Sequence, residues 1–419
     1  MTRWRAATRP RRPGPAAALA VGTVLAAGPA LAGCGSASGQ APAHSAPSAV
    51  PLSAMSSAPI AGATWATVPM GAASGPNEFW QLFRLPAGSS RWALETPPDI
   101  ATNGAILLAG QSGPGGGEPG SSAGRGATTA TLTAGVRPSL DLSFSPITTT
   151  ADGGHSWATL PPESGLANEA DALAAAPDGH LIALGADRTA DIFSGGFSGG
   201  NGSWTTLTSE HSLAAAAAAR SCALTGLTAA AYTPSGTPLL AGTCGRAGTA
   251  GIFGYTGGTW HQADPALPTA LAGRTVQVLR LTRIGTEDVA LLEAGGPPDV
   301  SLLAAWTGDG GRRWTLSPVL RLGGSYAVSA SFSSSGGVAV VLAGNRGAML
   351  AGPGSSWRQL PALPAGRVIT LALPAAGTTD ALAADGSTLT AWQLRDGSAT
   401  WSKTQTINVP IQYGSSSGS

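Results

Sequence analysis

One pattern, Thr-x-Asp-x-Gly-x-x-Trp, occurs twice in this chain and constrains its fold more than any other feature. The first copy is Thr150-Ala151-Asp152-Gly153-Gly154-His155-Ser156-Trp157. The second is Thr307-Gly308-Asp309-Gly310-Gly311-Arg312-Arg313-Trp314. Asp-Gly-Gly can supply the positive φ angles of a tight hairpin turn, with the aspartate accepting backbone N–H bonds inside it. Tryptophan then opens the next strand and buries a large ring against a neighbouring sheet. Thr150, Asp152, Gly154 and Trp157, with Thr307, Asp309, Gly311 and Trp314, are therefore read as structural residues of two hairpins.

A looser form of the same punctuation runs through most of the chain. A tryptophan opens a short strand after a Gly/Ser turn at Trp92, Trp157, Trp204, Trp260, Trp314, Trp357 and Trp401, in steps of 65, 47, 56, 54, 43 and 44 residues. The long first step contains a Gly-rich insertion at 111–126, read as an exposed loop, and shrinks to 49 without it. Before each of the last six tryptophans lies an apolar run, a turn and a second run ending near Ala-Gly: 97–110, 171–185, 227–242, 278–295, 329–344 and 371–386. Each reads as an inner hairpin turning at Asp-Gly, Ser-Gly, Gly-Gly or Asn-Gly. A period of 43 to 56 residues fits one four-stranded propeller blade. The 60 Gly and 32 Pro among 419 residues, with only 11% charged, also suit a turn-rich all-β protein. The fold expected is all-β: a single β-propeller of four-stranded antiparallel blades, seven of them, with six or eight as alternatives. Six blades end at Trp157 through Trp401. Residues 79–95 give the outer strands of one more. Its inner strands come from 60–75 or from the tail at 404–412, which would join both chain ends in one sheet and remove an edge. Ser209–Arg220, with six consecutive alanines, is expected to form one or two helical turns.

The N-terminus specifies a compartment. Arg3, Arg5, Arg9, Arg11 and Arg12 precede an apolar run, Ala16–Ala32, broken by Gly22, Gly28 and Pro29. Such a run is short for a membrane span, the alternative reading, and suits a secretory signal. Leu31-Ala32-Gly33-Cys34 follows and resembles a bacterial lipobox, which implies acylation of Cys34 after cleavage. The boundaries expected are a lipoprotein signal peptide at 1–33, a Ser/Ala/Pro-rich flexible spacer at 34–60, the propeller at 61–413 and a disordered tail at 414–419. Removing the leader takes five arginines and no acid, leaving 18 basic against 22 acidic residues, net −4. That balance points away from a nucleic-acid partner. The expected location is the outer face of the cell membrane, with the lipid as the only membrane attachment. Cys222 and Cys244 remain as an even pair in an oxidising space, read as a disulfide worth about 3 kcal/mol by loop entropy.

The repeated octapeptide, with five degenerate copies, resembles the Asp-box (BNR) hairpin of sialidase-like β-propellers, over roughly 78–405. The resemblance implies that these turns lie on the outer side of a blade, away from the central pocket. Phe83-Arg84-Leu85-Pro86 resembles the sialidase Phe/Tyr-Arg-Ile/Leu-Pro motif, where the arginine grips a substrate carboxylate. Such an enzyme also needs a tyrosine nucleophile backed by a glutamate and an acid/base aspartate soon after the motif. Here the degenerate turn Gly88-Ser89-Ser90-Arg91-Trp92 follows instead, and no tyrosine has a glutamate near it in sequence.

Leu132–Pro146, before the first octapeptide, is longer than a strand and turn need, and resembles a stretch in secreted lipoproteins of actinobacterial type. Arg137 and Asp141 are read first as a buried structural pair and in the alternative as part of a binding surface; propeller ligands usually sit on loops near the axis, so Arg84, Arg137 and Asp141 are the candidate ligand-binding residues. The five histidines have no metal-ligand spacing, and there is no phosphate loop or Gly-x-Ser-x-Gly elbow. No catalytic residue, metal or cofactor is expected. Fold alone does not fix function. The reading is a monomeric cell-surface lipoprotein whose propeller is a binding or scaffold module for a protein or an envelope glycan, and not an enzyme. The alternatives are a sialidase-like glycoside hydrolase and an assembly factor for a membrane complex.

Overall fold

A computed structural model describes residues 57–60, 62–71, 79–97, 105–111, 131–137, 144–159, 166–168, 170–194 and 202–410. Residues 1–44 lie outside the described residues, so the leader and Cys34 are not placed. In the remainder the strands run in chain order as antiparallel meanders of four. The first spans 57–94, the second 105–159, the third 170–209 and the fourth 224–262. The fifth spans 276–316, the sixth 327–359 and the seventh 367–408. The fourth and fifth share one sheet through a single pair, Thr243 with Gln277.

Each meander packs its face on the next. Leu279, Leu291 and Trp306 of the fifth meet Ala330, Phe332 and Val340 of the sixth. The last seam joins the seventh meander to the first: Ile369, Leu382 and Leu389 pack on Val68, Phe83 and Trp92. Strands covered on both faces must be apolar on both, which is why the inner runs are Ala-, Leu- and Val-rich without alternation. Polar groups clasp the same seam. The Gln405 side chain accepts from Trp92 N at 2.8 Å and donates to Trp92 O at 3.0 Å, and the Trp92 indole donates to Asp380 Oδ2 at 3.0 Å. Burial pushes the Asp380 carboxyl up, and the hydrogen bonds it accepts from Trp92 and Gln393 oppose the shift. Gly71 N donates to Gly386 O at 2.8 Å.

Each of the seven tryptophans lies within one residue of the start of its meander's fourth strand, as the repeat requires. Three readings need correction. First, the inner strands of the first meander are Ser57–Ile60 and Ala63–Met70, while the tail strand Ser402–Asn408 belongs to the seventh. The ring is closed by face packing and not by a sheet shared between the chain ends. The strand at Ser57 also begins inside the stretch read as spacer. Second, Ala105–Gln111 is an innermost strand, and its partner Thr131–Arg137 lies across the Gly-rich insertion. The insertion therefore interrupts an inner hairpin, and 97–110 is not one by itself. Third, the length of Leu132–Pro146 is not surplus to strand logic. It covers most of Thr131–Arg137 and the start of Phe144–Thr150, two antiparallel strands.

Helix α1, Glu210–Ala215, is capped by the Ser209 side chain accepting from Ser212 N at 3.1 Å, and α2 is Ala217–Arg220. Both follow the third meander and bury Leu213 and Ala219 against the fourth. Packing sustains helices too short to stand alone. Cys222, just after α2, is bonded to Cys244, which ends a strand.

Candidate functional site

The two octapeptide turns are closed internally. Asp152 Oδ1 accepts from Thr150 Oγ1 at 2.8 Å and from Ser156 N at 2.9 Å, while Oδ2 accepts from Ser156 Oγ at 2.5 Å. Gly154 N donates to Thr150 Oγ1 at 2.8 Å. Asp309 repeats the scheme with Thr307 Oγ1, the Arg312 and Arg313 amides and Arg313 Nε, all at 2.9–3.0 Å. These donors stabilise the ionised carboxyls. Bonds from Ser156 and Thr150 hold Asp152 well below the usual range, and those from Arg313 and Thr307 lower Asp309 to about 2. A carboxylate already holding three or four donors of its own turn is a structural acceptor, not an acid or base for catalysis.

Arg84 sits in the third strand of the first meander, Phe79–Pro86. Its guanidinium lies 5.8 Å from the Trp65 ring centre and close against Gly153, and its Nε is buried without a hydrogen-bond partner. It fills the seam under the first octapeptide turn. Arg137 ends the second strand of the second meander, opposite Ala105 in register. Asp141 lies outside the described residues. Arg84 is not among the lining residues of the central cavity.

That cavity, of about 80 Å³, is walled by the first strands of meanders one to five. Its lining comes from the later residues of those strands and from Gly285, in the turn after Val276–Ile284. Strand direction places it toward the end of the ring that carries the octapeptide turns. Most of the wall is Ala, Leu and Ile. Arg280, Arg283, Tyr232, Thr228 and Thr282 supply the polar groups, and no carboxylate lines it among the described residues.

Local backbone geometry explains how an arginine reaches this place. In five meanders the first strand carries a register shift at one equivalent point, beside Asp171, Thr228, Leu279, Val328 and Ile369. A bulge of this kind re-aims the side chains that follow it. The next residue is Ala172, Ala229, Arg280, Ser329 or Thr370. Only the fifth meander places a charge there. Arg280 is 7% exposed, and its guanidinium lies 5.5 Å from the Phe332 ring centre on the neighbouring first strand. Burial lowers its pKa to about 10, so it keeps its proton at neutral pH. The Tyr232 hydroxyl is buried with no hydrogen-bond partner. Burial first, and then the nearby Asp178, push its pKa up, so it remains a donor.

Two acids border this set. Asp178, in an exposed turn, is engaged by His180 N at 3.2 Å and faces His180 Nδ1 at 3.4 Å. Asp288 stands opposite Arg283 in register and is fully buried, with neither carboxylate oxygen hydrogen-bonded. Burial raises it to about 8, against the opposing pull of Arg283. Glycoside hydrolysis by the two-carboxylate route needs a pair of carboxyls about 5–10 Å apart across the substrate, which the described lining does not provide. Among the described residues no cluster of His, Cys, Asp and Glu is placed to hold a metal. Sequence reasoning missed Arg280. It lies in the run Val278-Leu279-Arg280-Leu281-Thr282-Arg283, where alternation does not announce a bulge.

No family model and no curated relative matches the chain. Similar solved structures include YCF48 bound to D1 peptide, 14% identical with a TM-score of 0.43 over 79% of this chain and 89% of that one. Another is a 6-phosphogluconolactonase, so named provisionally, from Bacteroides uniformis, 12% identical with a TM-score of 0.49 over 83% and 96%. A third is the six-bladed, fucose-recognising lectin of Aleuria aurantia, 12% identical with a TM-score of 0.38 over 76% and 100%. Likenesses at this level assign no function to this chain.

Proposed function

We propose that the protein is an exported lipoprotein, held at the outer face of the cell membrane by acylated Cys34. Its domain is a seven-bladed propeller of the Asp-box type that acts as a binding or scaffold module for a protein or an envelope glycan. The observation that carries this reading is the axial lining, where Ala, Leu and Ile predominate, Arg280 and Arg283 add charge, and the pair of carboxyls that glycoside hydrolysis needs is not found among the described residues. The test is a glycan array probed with the full chain, run beside capture of proteins from the native membrane and assays on glycoside substrates. Selective retention of one glycan class or one reproducible protein, without turnover, fits the proposal. Hydrolysis of a glycoside would contradict it. For the anchor, Cys34→Ser should move the protein out of the membrane fraction, and unchanged retention would refute acylation.

A further inference from the structure

We infer that a groove between the sixth and seventh meanders is a binding site for an acidic saccharide, a sugar ring bearing a carboxylate, stacked on Tyr326 and held by Arg367. The inference rests on the binding-module reading above and gives it one ligand class and a place outside the axial cavity. The groove holds about 290 Å³. Its floor is apolar, with Val328, Leu342 and Ile369, and its rim carries Tyr326, Asn345 and Arg367. Strand order explains why these side chains share one hollow. The register shift of the first strand falls beside Val328 in the sixth meander and beside Ile369 in the seventh. Tyr326 and Arg367 each precede that shift by two residues, so they hold the same position in neighbouring first strands. Both stand where those strands begin, at the end of the ring opposite the octapeptide turns. The fourth and fifth meanders have Gly226 and Gln277 at this position. Ala343 N donates to Tyr326 O at 2.9 Å, which sets the hairpin turn Gly344-Asn345 beside Tyr326.

The chemistry of the rim selects the ligand. Tyr326 is 58% exposed, the most exposed large apolar side chain among the described residues. Its ring adjoins the apolar floor, so the two form one patch and not a lone surface residue. Tyrosine presents an apolar face and a polar edge. The C–H bonds on one face of a pyranose make a matching apolar surface, while its hydroxyls point outward to the rim. Asn345 Nδ2 donates to Pro364 O at 3.1 Å, which fixes the amide and leaves Oδ1 as an acceptor for a hydroxyl. Arg367 is exposed and enters no ion pair or side-chain hydrogen bond among the described residues. No acid lines the groove among those residues. Asp385 is one residue past Ala384, the register partner of Arg367, and is outside the lining. A free guanidinium in a groove without an acid favours an anionic group, and its fork matches the two oxygens of a carboxylate. The volume, about 290 Å³, is at the lower limit of ligand pockets, about 300 Å³, and suits one sugar ring.

The experiment is a titration of the full chain with glucuronate, glucose and acetate at constant ionic strength, followed by ligand-observed NMR. Glucuronate should bind saturably. Glucose, which lacks the charge, and acetate, which lacks the ring, should each bind about tenfold more weakly or worse. Tyr326→Ala removes an exposed ring, so the chain should fold as the wild type does and bind glucuronate about tenfold more weakly; Tyr326→Phe keeps the ring face and should bind nearly as the wild type does. Arg367→Met should bind glucuronate no better than glucose, and Arg367→Lys should keep part of the preference. Absence of saturable glucuronate binding to the wild-type chain would overturn the inference. So would glucose or acetate binding as tightly as glucuronate, or a folded Tyr326→Ala or Arg367→Met chain with wild-type affinity. Any of these, with glycan or protein capture by the full chain intact, would leave the proposed function standing; loss of both would remove the two together.

Discussion

The two octapeptide turns share one internal design and rest on different ground. Inside each, a threonine hydroxyl and an aspartate collect the same set of donors, and two glycines take φ between +72° and +94°. Outside, they diverge. The second turn is seated on backbone: Trp314 Nε1 donates to Ala263 O at 2.8 Å, and a Cβ added at Gly311 would come within 2.6 Å of Ala263 Cβ and 2.7 Å of Ala263 O. The first turn is seated on side chains. A Cβ at Gly154 would meet Glu95 Oε2 at 3.0 Å and the Trp65 ring at 3.1 Å. Trp157 stands edge-on to Trp65 with ring centres 6.4 Å apart, its indole N–H buried and unpartnered. Register adds a third difference. Thr307 lies opposite the buried Asp288, whereas Thr150 lies opposite Leu132. The octapeptide encodes its own turn; what the turn docks on is written in the preceding meander, 48 residues back from Gly311 to Ala263 and 92 residues back from Trp157 to Trp65.

The largest expected contrast is at the second glycine. Gly311→Ala combines a positive φ with a collision against fixed backbone and should cost about 3 kcal/mol in urea unfolding, whereas Gly154→Ala meets movable side chains and should cost about half as much. Equal losses would break the distinction between a backbone seat and a side-chain seat. Next is the acid opposite Thr307. Asp288 has a folded pKa raised to about 8 from an ordinary 3.8, so the fold favours its neutral form. Its contribution is fully present below about pH 4 and is lost as pH rises toward 8. Asp288→Asn should therefore raise Tm at pH 8 by several degrees and leave it nearly unchanged at pH 4. A gain at pH 4 and none at pH 8 would reverse the sign. A smaller effect separates the indoles. Trp314→Phe leaves Ala263 O without its donor and should cost about 1 kcal/mol more than Trp157→Phe, which deletes a donor that has no partner. The smallest concerns the turn aspartates. Their folded pKa values are depressed, so they stabilise above about pH 4 and lose that contribution as pH falls, for Asp309 through about 2. Either aspartate replaced by asparagine should flatten the acid limb of Tm against pH by similar small amounts, since both are solvent-screened.

Much of this architecture was legible in the sequence, because it depends on punctuation. Tryptophans after Gly/Ser turns mark fourth strands, Gly-containing turns mark inner hairpins, and an even pair of cysteines, Cys222 and Cys244, marks the disulfide. Failures arose where local composition hides a strand. Ser57-Ala58-Pro59-Ile60 pairs with 63–66 yet has the composition of a spacer. Ala105–Gln111 pairs across an insertion that breaks the repeat. The site was least legible. Arg84 matches a short motif but its environment is a seam between meanders. Arg280 matches none, since its position depends on a one-residue register shift that hydrophobic periodicity does not reveal. Tyr232 was visible as a strand residue, while its unpaired hydroxyl is a property of the packed ring.

That the octapeptide turns build the ring and do not bind can be tested on two full-length chains, wild type and Asp152→Asn combined with Asp309→Asn, by thermal unfolding beside the glycan array and membrane-protein capture. The double variant should melt earlier at neutral pH yet retain whatever the wild type retains. A double variant that melts as the wild type does, or a folded one that has lost the wild type's ligand, would contradict that account.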